Sequence, residues 1–207
     1  MAEAAIDHAP EHEPTTTGLN HRKLLMWAFL GSDCMFFGSL IATYVVYFGK
    51  SKNGPFPDDV FSIPTTSVSS FVLLMSSLTM VLALAALQRG DHRGTRVWLL
   101  ATALLGSIFL GGQYYEFATF VHEGVTLSGN LFGTTFFTLT GFHGAHVTVG
   151  VFMLLALVIT SFLGRLPQGK SLNLELVGLY WHFVDIVWIV IFTVVYLLEF
   201  AGPAPVG

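Results

Sequence analysis

An all-α membrane protein with five transmembrane helices is the fold class this sequence predicts, on three observations. Hydrophobic residues make up 53% of the 207 positions and charged residues only 11%, where soluble domains carry charge on roughly a quarter. Mean hydropathy is +0.68, so the apolar excess has to face lipid. Five long segments, 24–48, 65–87, 97–121, 131–164 and 176–198, are nearly free of charge, and each exceeds the roughly 20 residues a helix needs to cross a bilayer.

The first segment follows Arg22 and Lys23, ends at Gly49 and contains one charged residue, Asp33. The second opens after Pro64, stops before Arg89 and contains none. The third follows Arg93 and Arg96 and holds Glu116; the fourth follows Asn130 and holds His143 and His146 but no acid or strong base. The fifth follows Glu175, stops before Glu199 and holds His182 and Asp185. With at most one formal charge each, all five insert as helices that satisfy their own backbone hydrogen bonds. A β-barrel needs short alternating segments, which are not seen.

Connectors and tails complete the plan. Residues 1–21 read as a polar, acidic and disordered cytoplasmic tail without the basic n-region and cleavage site of a signal peptide. Residues 22–200 form the transmembrane domain and 201–207 a short outer tail. The longest connector, 49–64, carries Gly54, Pro55, Pro57 and Pro64 and reads as a structured outer turn; residues 89–94 make a tight inner turn, and Pro167 with Gly169 another. With a cytoplasmic N-terminus, seven of the nine basic residues lie inside and only Lys50 and Lys52 outside, so the positive-inside rule gives an N-in, C-out chain.

Whole classes of function fall away on composition. One cysteine, Cys34, excludes a disulfide framework, a zinc ribbon and a cysteine-ligated cluster. A net charge of −4 without a basic run excludes nucleic acid as a partner. Connectors this short leave no room for a catalytic domain outside the membrane. Gly38 with Ala42, Ser107 with Gly111 and Gly141 with Ala145 are small residues four apart, the spacing of close helix packing. Trp27, Trp98 and Trp181 read as interface anchors on the cytoplasmic side, and Trp188 as packed between helices.

Six polar groups sit inside the predicted spans: Asp33, Glu116, His143, His146, His182 and Asp185. Each costs a few kcal/mol or more in lipid and demands a partner or a buried location. His143 with His146, and His182 with Asp185, are three apart and share a helical face. Three readings stand at this point: metal or haem ligation by the imidazoles, proton conduction through the acids and histidines, and hydrogen bonding across helices. The first two correspond to a small membrane b-type cytochrome or a proton-conducting membrane protein. His143 and His146 are too close on one helix to be opposite ligands of one haem.

Two longer runs go further. The stretch Thr134, Thr135, Phe136, Phe137, Thr138, Leu139, Thr140, Gly141, Phe142, His143, Gly144, Ala145, His146, Val147, with Gly150 beyond it, resembles the fourth-helix signature of subunit III of the haem–copper terminal oxidases. Trp181, His182, Phe183, Val184, Asp185, Ile186, Val187 and Trp188 are similar to that family's last-helix signature, supported by Tyr115 with Glu116 and by Ser32, Asp33 and Cys34. The resemblance runs from Arg22 to the C-terminus and matches the short, five-helix bacterial form.

That resemblance implies an accessory subunit with no catalytic residue and no haem or metal of its own, the haems and copper lying in partner subunits. It implies contact with subunit I, association with subunit II and other subunits, and bound structural phospholipids, in the bacterial inner membrane as a multi-pass chain. It further implies two bundles, helices 1–2 and helices 3–5, separated by a V-shaped lipid cleft. The chain would stabilise subunit I and support proton uptake, with Asp33 as the uptake or cleft carboxylate and Glu116, His143, His146, His182 and Asp185 as intramembrane structural groups. Many members carry Glu at the position of Asp33 and an acid at that of Gln113, so an acidic pair with Glu116 is lost here.

Overall fold

A computed structural model of the chain describes residues 20–50, 63–164 and 172–197. Regular structure in them is helical throughout: α1 (His21–Tyr47), α2 (Ile63–Gln88), α3 (His92–His122), α4 (Leu131–Phe162) and α5 (Leu172–Phe192), which runs on into a π-helical turn, Thr193–Leu197. All five are long and apolar enough to cross a membrane. The predicted turns around Pro57 and Pro167 and both tails up to residue 19 and from residue 198 lie outside the described residues.

The helix starts are set by side chains that satisfy free backbone N–H groups. Asn20 accepts from the N–H of Arg22 at 3.0 Å, Asp91 from Gly94 at 2.8 Å and Asn130 from Gly133 at 2.7 Å. Pro64 stands in the first turn of α2, where its missing N–H costs nothing. The turn between α2 and α3 closes tightly because Gly90 adopts φ +78°, a conformation open to glycine at no steric cost. Helices of 26 to 32 residues, with α5 counted through its π turn, are about 39–48 Å long, exceeding the ~30 Å hydrocarbon core. Arg93 and Arg96 fall within α3 and Glu175 within α5 for that reason.

Helix α2 packs along α3, α3 on α4, α4 on α5, and α5 returns to α2, so these four close a ring. Helix α1 lies outside the ring, against α4 and α5. The expected grouping of helices 1–2 against helices 3–5 is therefore not the observed one. Its physical reason is the burying face of α1: Leu30, Phe37 and Tyr44, seven apart, are the buried residues of that helix, and Phe36 meets Phe142 of α4 at 5.1 Å. Lys23 also reaches Glu175 of α5 at 2.6 Å.

At the centre of the ring are two indoles. Trp181 is 1% exposed and Trp188 2%, so Trp181 is a core residue and not the interface anchor that its position in the sequence suggests. It fits because Gly106 of α3 and Gly150 of α4 face its ring, and a Cβ on either would collide with it. Trp188 packs between helices as expected, edge-on to Phe109 at 4.8 Å. Gly38, Gly111 and Gly141, by contrast, have open space where a side chain would go. The three small-residue pairs read from the sequence therefore do not bring helices of this chain together.

Candidate functional site

The intramembrane polar groups separate into three clusters, each spanning helices. In the first, Asp33 of α1 faces His146 of α4, with Oδ2 3.5 Å from Nε2. His146 Nδ1 lies 2.7 Å from the carbonyl oxygen of Phe142. A carbonyl only accepts, so Nδ1 carries a proton, and Nε2 is the nitrogen left to face the carboxyl. The two groups are compatible as an imidazolium with a carboxylate or as an imidazole with a carboxylic acid. In both cases the pair holds one exchangeable proton and is electrically neutral, which is what a membrane interior tolerates.

Aromatic rings enclose the pair. Phe37 stands edge-on to the His146 ring at 5.0 Å and Phe36 tilts over it at 6.3 Å. Tyr180 of α5 donates its hydroxyl to the His146 carbonyl at 2.9 Å. His146 lies in the wall of an apolar groove of about 440 Å³, lined also by Met26, Phe29, Phe142, Val149, Met153 and Tyr180. A second groove of about 450 Å³ shares Met26 and Phe29 and reaches Arg22, Leu25 and Leu176 at the N-terminal ends of α1 and α5. The two grooves thus neighbour each other along α1, one bordered by the Arg22 guanidinium and the other by the His146 ring.

The second cluster lies toward the other ends of the helices. Thr66 of α2 donates to Glu116 Oε1 at 2.6 Å, and Tyr196 of the π turn also donates to that carboxylate. Tyr196 is 1% exposed and Thr66 2%. A π turn shifts the residues after it around the helix axis, and here it sets Tyr196 inward against Glu116. Gln113, one turn earlier on α3, donates to the Thr140 carbonyl of α4 at 2.8 Å, so this position ties α3 to α4.

The third cluster joins α2 and α5. Trp188 Nε1 donates to Ser70 Oγ and Trp181 Nε1 to Ser76 Oγ, both at 2.9 Å. Next to the Trp181–Ser76 contact, Ser77 Oγ meets His182 Nδ1 at 2.6 Å. His182 and Asp185 share a helical face as predicted, yet they do not bond each other: Ser77 stands beside both, 2.6 Å from His182 Nδ1 and next to the Asp185 carboxyl. His143 is fully buried, stacked on Trp188 at 4.8 Å and edge-on to Phe109 at 5.9 Å, and neither ring nitrogen is hydrogen-bonded within the described residues.

The structure thus sends His143, His146 and His182 in three directions, toward Trp188, Asp33 and Ser77. Among the described residues no group of three or more His, Cys, Asp or Glu side chains converges as metal ligands would. Sequence spacing did not single out Thr66, Ser70, Ser76, Ser77 or Tyr196. The available signal was five serines, at 67, 69, 70, 76 and 77, on a largely apolar helix, since serines inside membranes commonly bond across helices.

Comparison with known proteins places these features in context. The family model described as cytochrome c oxidase subunit III matches residues 11–200. Cytochrome c oxidase subunit 3 of Bacillus sp. (strain PS3) is 39% identical over 194 residues, 94% of this chain and 93% of its own length. Quinol oxidase subunit 3 of Bacillus subtilis (strain 168) is 39% identical over 202 residues, 97% and 98% of the two chains. Cytochrome bo(3) ubiquinol oxidase subunit 3 of Pseudomonas aeruginosa is 38% identical over 172 residues, covering 83% of this chain and 82% of its own.

Proposed function

The chain belongs to the cytochrome c oxidase subunit III family, and on that basis we propose that it is a non-redox accessory subunit of a respiratory haem–copper oxidase, a complex that reduces oxygen to water with proton pumping. In this reading the haems and copper belong to partner subunits, and this chain contacts and stabilises subunit I. The carrying observation is the family match across 11–200. Three imidazoles that point apart, where a haem-binding chain needs two that converge, support it. Relatives named for both cytochrome c and quinol oxidases are equally similar, so identity does not choose the electron donor.

The finer roles follow from the first cluster. The two neighbouring grooves along α1, one bordered by Arg22 and the other walled by apolar residues from Met26 to Met153, suit a phospholipid whose phosphate meets the guanidinium and whose acyl chain lies along α1. Asp33, whose carboxyl lies 3.5 Å from His146 Nε2 beside that groove, is our candidate for supporting proton uptake. The basic residues of 22–23, 89–96 and 165–170 orient the chain N-in and C-out in a bacterial inner membrane.

Two measurements test this. A reduced-minus-oxidised spectrum of the tagged chain purified from native membranes is expected to show haem bands, while the same chain expressed and purified alone shows none. Haem in the isolated chain would instead make it a b-type cytochrome and return attention to His143, His146 and His182. For the carboxyl, Asp33→Asn keeps a hydrogen-bonding group opposite His146 and is expected to leave assembly intact while slowing proton uptake or shortening the lifetime of the enzyme during turnover. Unchanged uptake and lifetime would reduce Asp33 to a structural residue.

A further inference from the structure

His143 carries two polar atoms to a place closed on every side. The residue is 0% exposed, and its ring is held between Trp188 of α5 and Phe109 of α3. Neither nitrogen meets a hydrogen-bonding partner among the described residues. A change of tautomer does not remove the difficulty, because in every protonation state an imidazole has at least one N–H to donate. A buried donor left unmade carries the full cost of its desolvation. Buried side-chain polar atoms in folded proteins are for that reason paired, either with protein or with ordered water.

The complementary atom lies on the facing helix. Gln113 of α3, itself 7% exposed, donates its amide to the Thr140 carbonyl of α4 at 2.8 Å. A carbonyl only accepts, so the atom facing it is Nε2, and Oε1 is turned the other way. There it lies over Gly144, where a Cβ would stand 2.7 Å from Oε1. Thr140 and Gly144 bracket His143 on α4. Among the described residues nothing donates to Oε1. The donors nearby are spent: Thr140 gives its hydroxyl proton to the Phe136 carbonyl at 2.7 Å and Trp188 its N–H to Ser70 at 2.9 Å. An N–H without an acceptor and an acceptor without a donor thus share one layer of the α3–α4 seam.

We propose that one buried water molecule bridges His143 and Gln113, accepting from the imidazole N–H and donating to Oε1. It has the two polar partners that a buried water needs, and proteins hold roughly one such water per 27 residues. The bridge sets the tautomer of His143, with the proton on the nitrogen that faces Gln113, and adds a second polar tie between α3 and α4 beside the Gln113–Thr140 bond. This site goes beyond the reading of the chain as an oxidase subunit and stands without it.

The direct test is a density map of the protein purified from native membranes, at a resolution that shows ordered water. The expected result is a peak about 2.5–3.2 Å from both a His143 nitrogen and Gln113 Oε1. No peak there, or a His143 ring bonded directly to a protein atom, would overturn the proposal. A second readout is the unfolding of the full chain in mild detergent. His143→Phe keeps a stacking ring without polar atoms, and Gln113→Leu removes the acceptor. Each strips the same water of a partner, so the folding equilibrium of the double variant should differ about two- to twelve-fold from the product of the two single effects, the range of one hydrogen bond. The Gln113–Thr140 bond is lost with and without His143 and cancels from that comparison. Single effects that simply multiply would also overturn the bridge, and if a variant fails to fold the wild-type map decides.

Discussion

Replacing Trp181 with alanine should lower the unfolding free energy of the chain in mild detergent by about 3–5 kcal/mol, the range for emptying a buried aromatic site. The ring is 1% exposed, faces Gly106 of α3 and Gly150 of α4 and donates to Ser76 of α2 at 2.9 Å. One side chain of α5 therefore contacts each of the other three helices of the ring, and no neighbour can relax into its place without moving a backbone. Trp27→Ala is the matched control: that indole is 58% exposed, and its loss should stay within about 0.5 kcal/mol. Equal effects of the two substitutions would refute the placement of Trp181 at the centre.

The second large effect is expected at His146. His146→Leu leaves Asp33 Oδ2 buried with no cation or imidazole beside it, and stranding one partner of such a pair costs about 3–5 kcal/mol. Adding Asp33→Leu should recover most of that loss, because an apolar pair of similar volume carries no desolvation penalty. The four unfolding free energies close a double-mutant cycle. If the double variant is as unstable as the sum of the singles, the two residues are not coupled and the 3.5 Å contact does not govern stability.

Much of the architecture was written in the sequence. Five segments nearly free of charge became five helices, and three of these start a few residues early, taking in Arg22, Lys23, Arg93, Arg96 and Glu175 at helix ends where long side chains reach out of the apolar layer. What spacing shows is which residues share a face of one helix, not which helix lies opposite. His143 and His146, alike by that measure, meet Trp188 and Asp33 on different neighbours, and His182 meets a serine instead of the aspartate one turn away. Trp181 was misplaced for a related reason. Its burial depends on two glycines on other helices, Gly106 and Gly150, and an absent side chain leaves little trace in a one-dimensional reading.

The position of α1 outside the ring, against α4 and α5, has a consequence in time. A chain grows from its N-terminus, so α1 enters the bilayer first while both helices that bury it are made last. Asp33 precedes His146 by about 110 residues, which at roughly 5–20 residues per second is about 5–22 s of synthesis. Throughout that interval the first helix holds a carboxyl group whose partner does not yet exist, and α2 and α3 are inserted past it. Burial of α1, and with it the grooves that α1 forms against α4 and α5, thus comes only once the last two helices have been made.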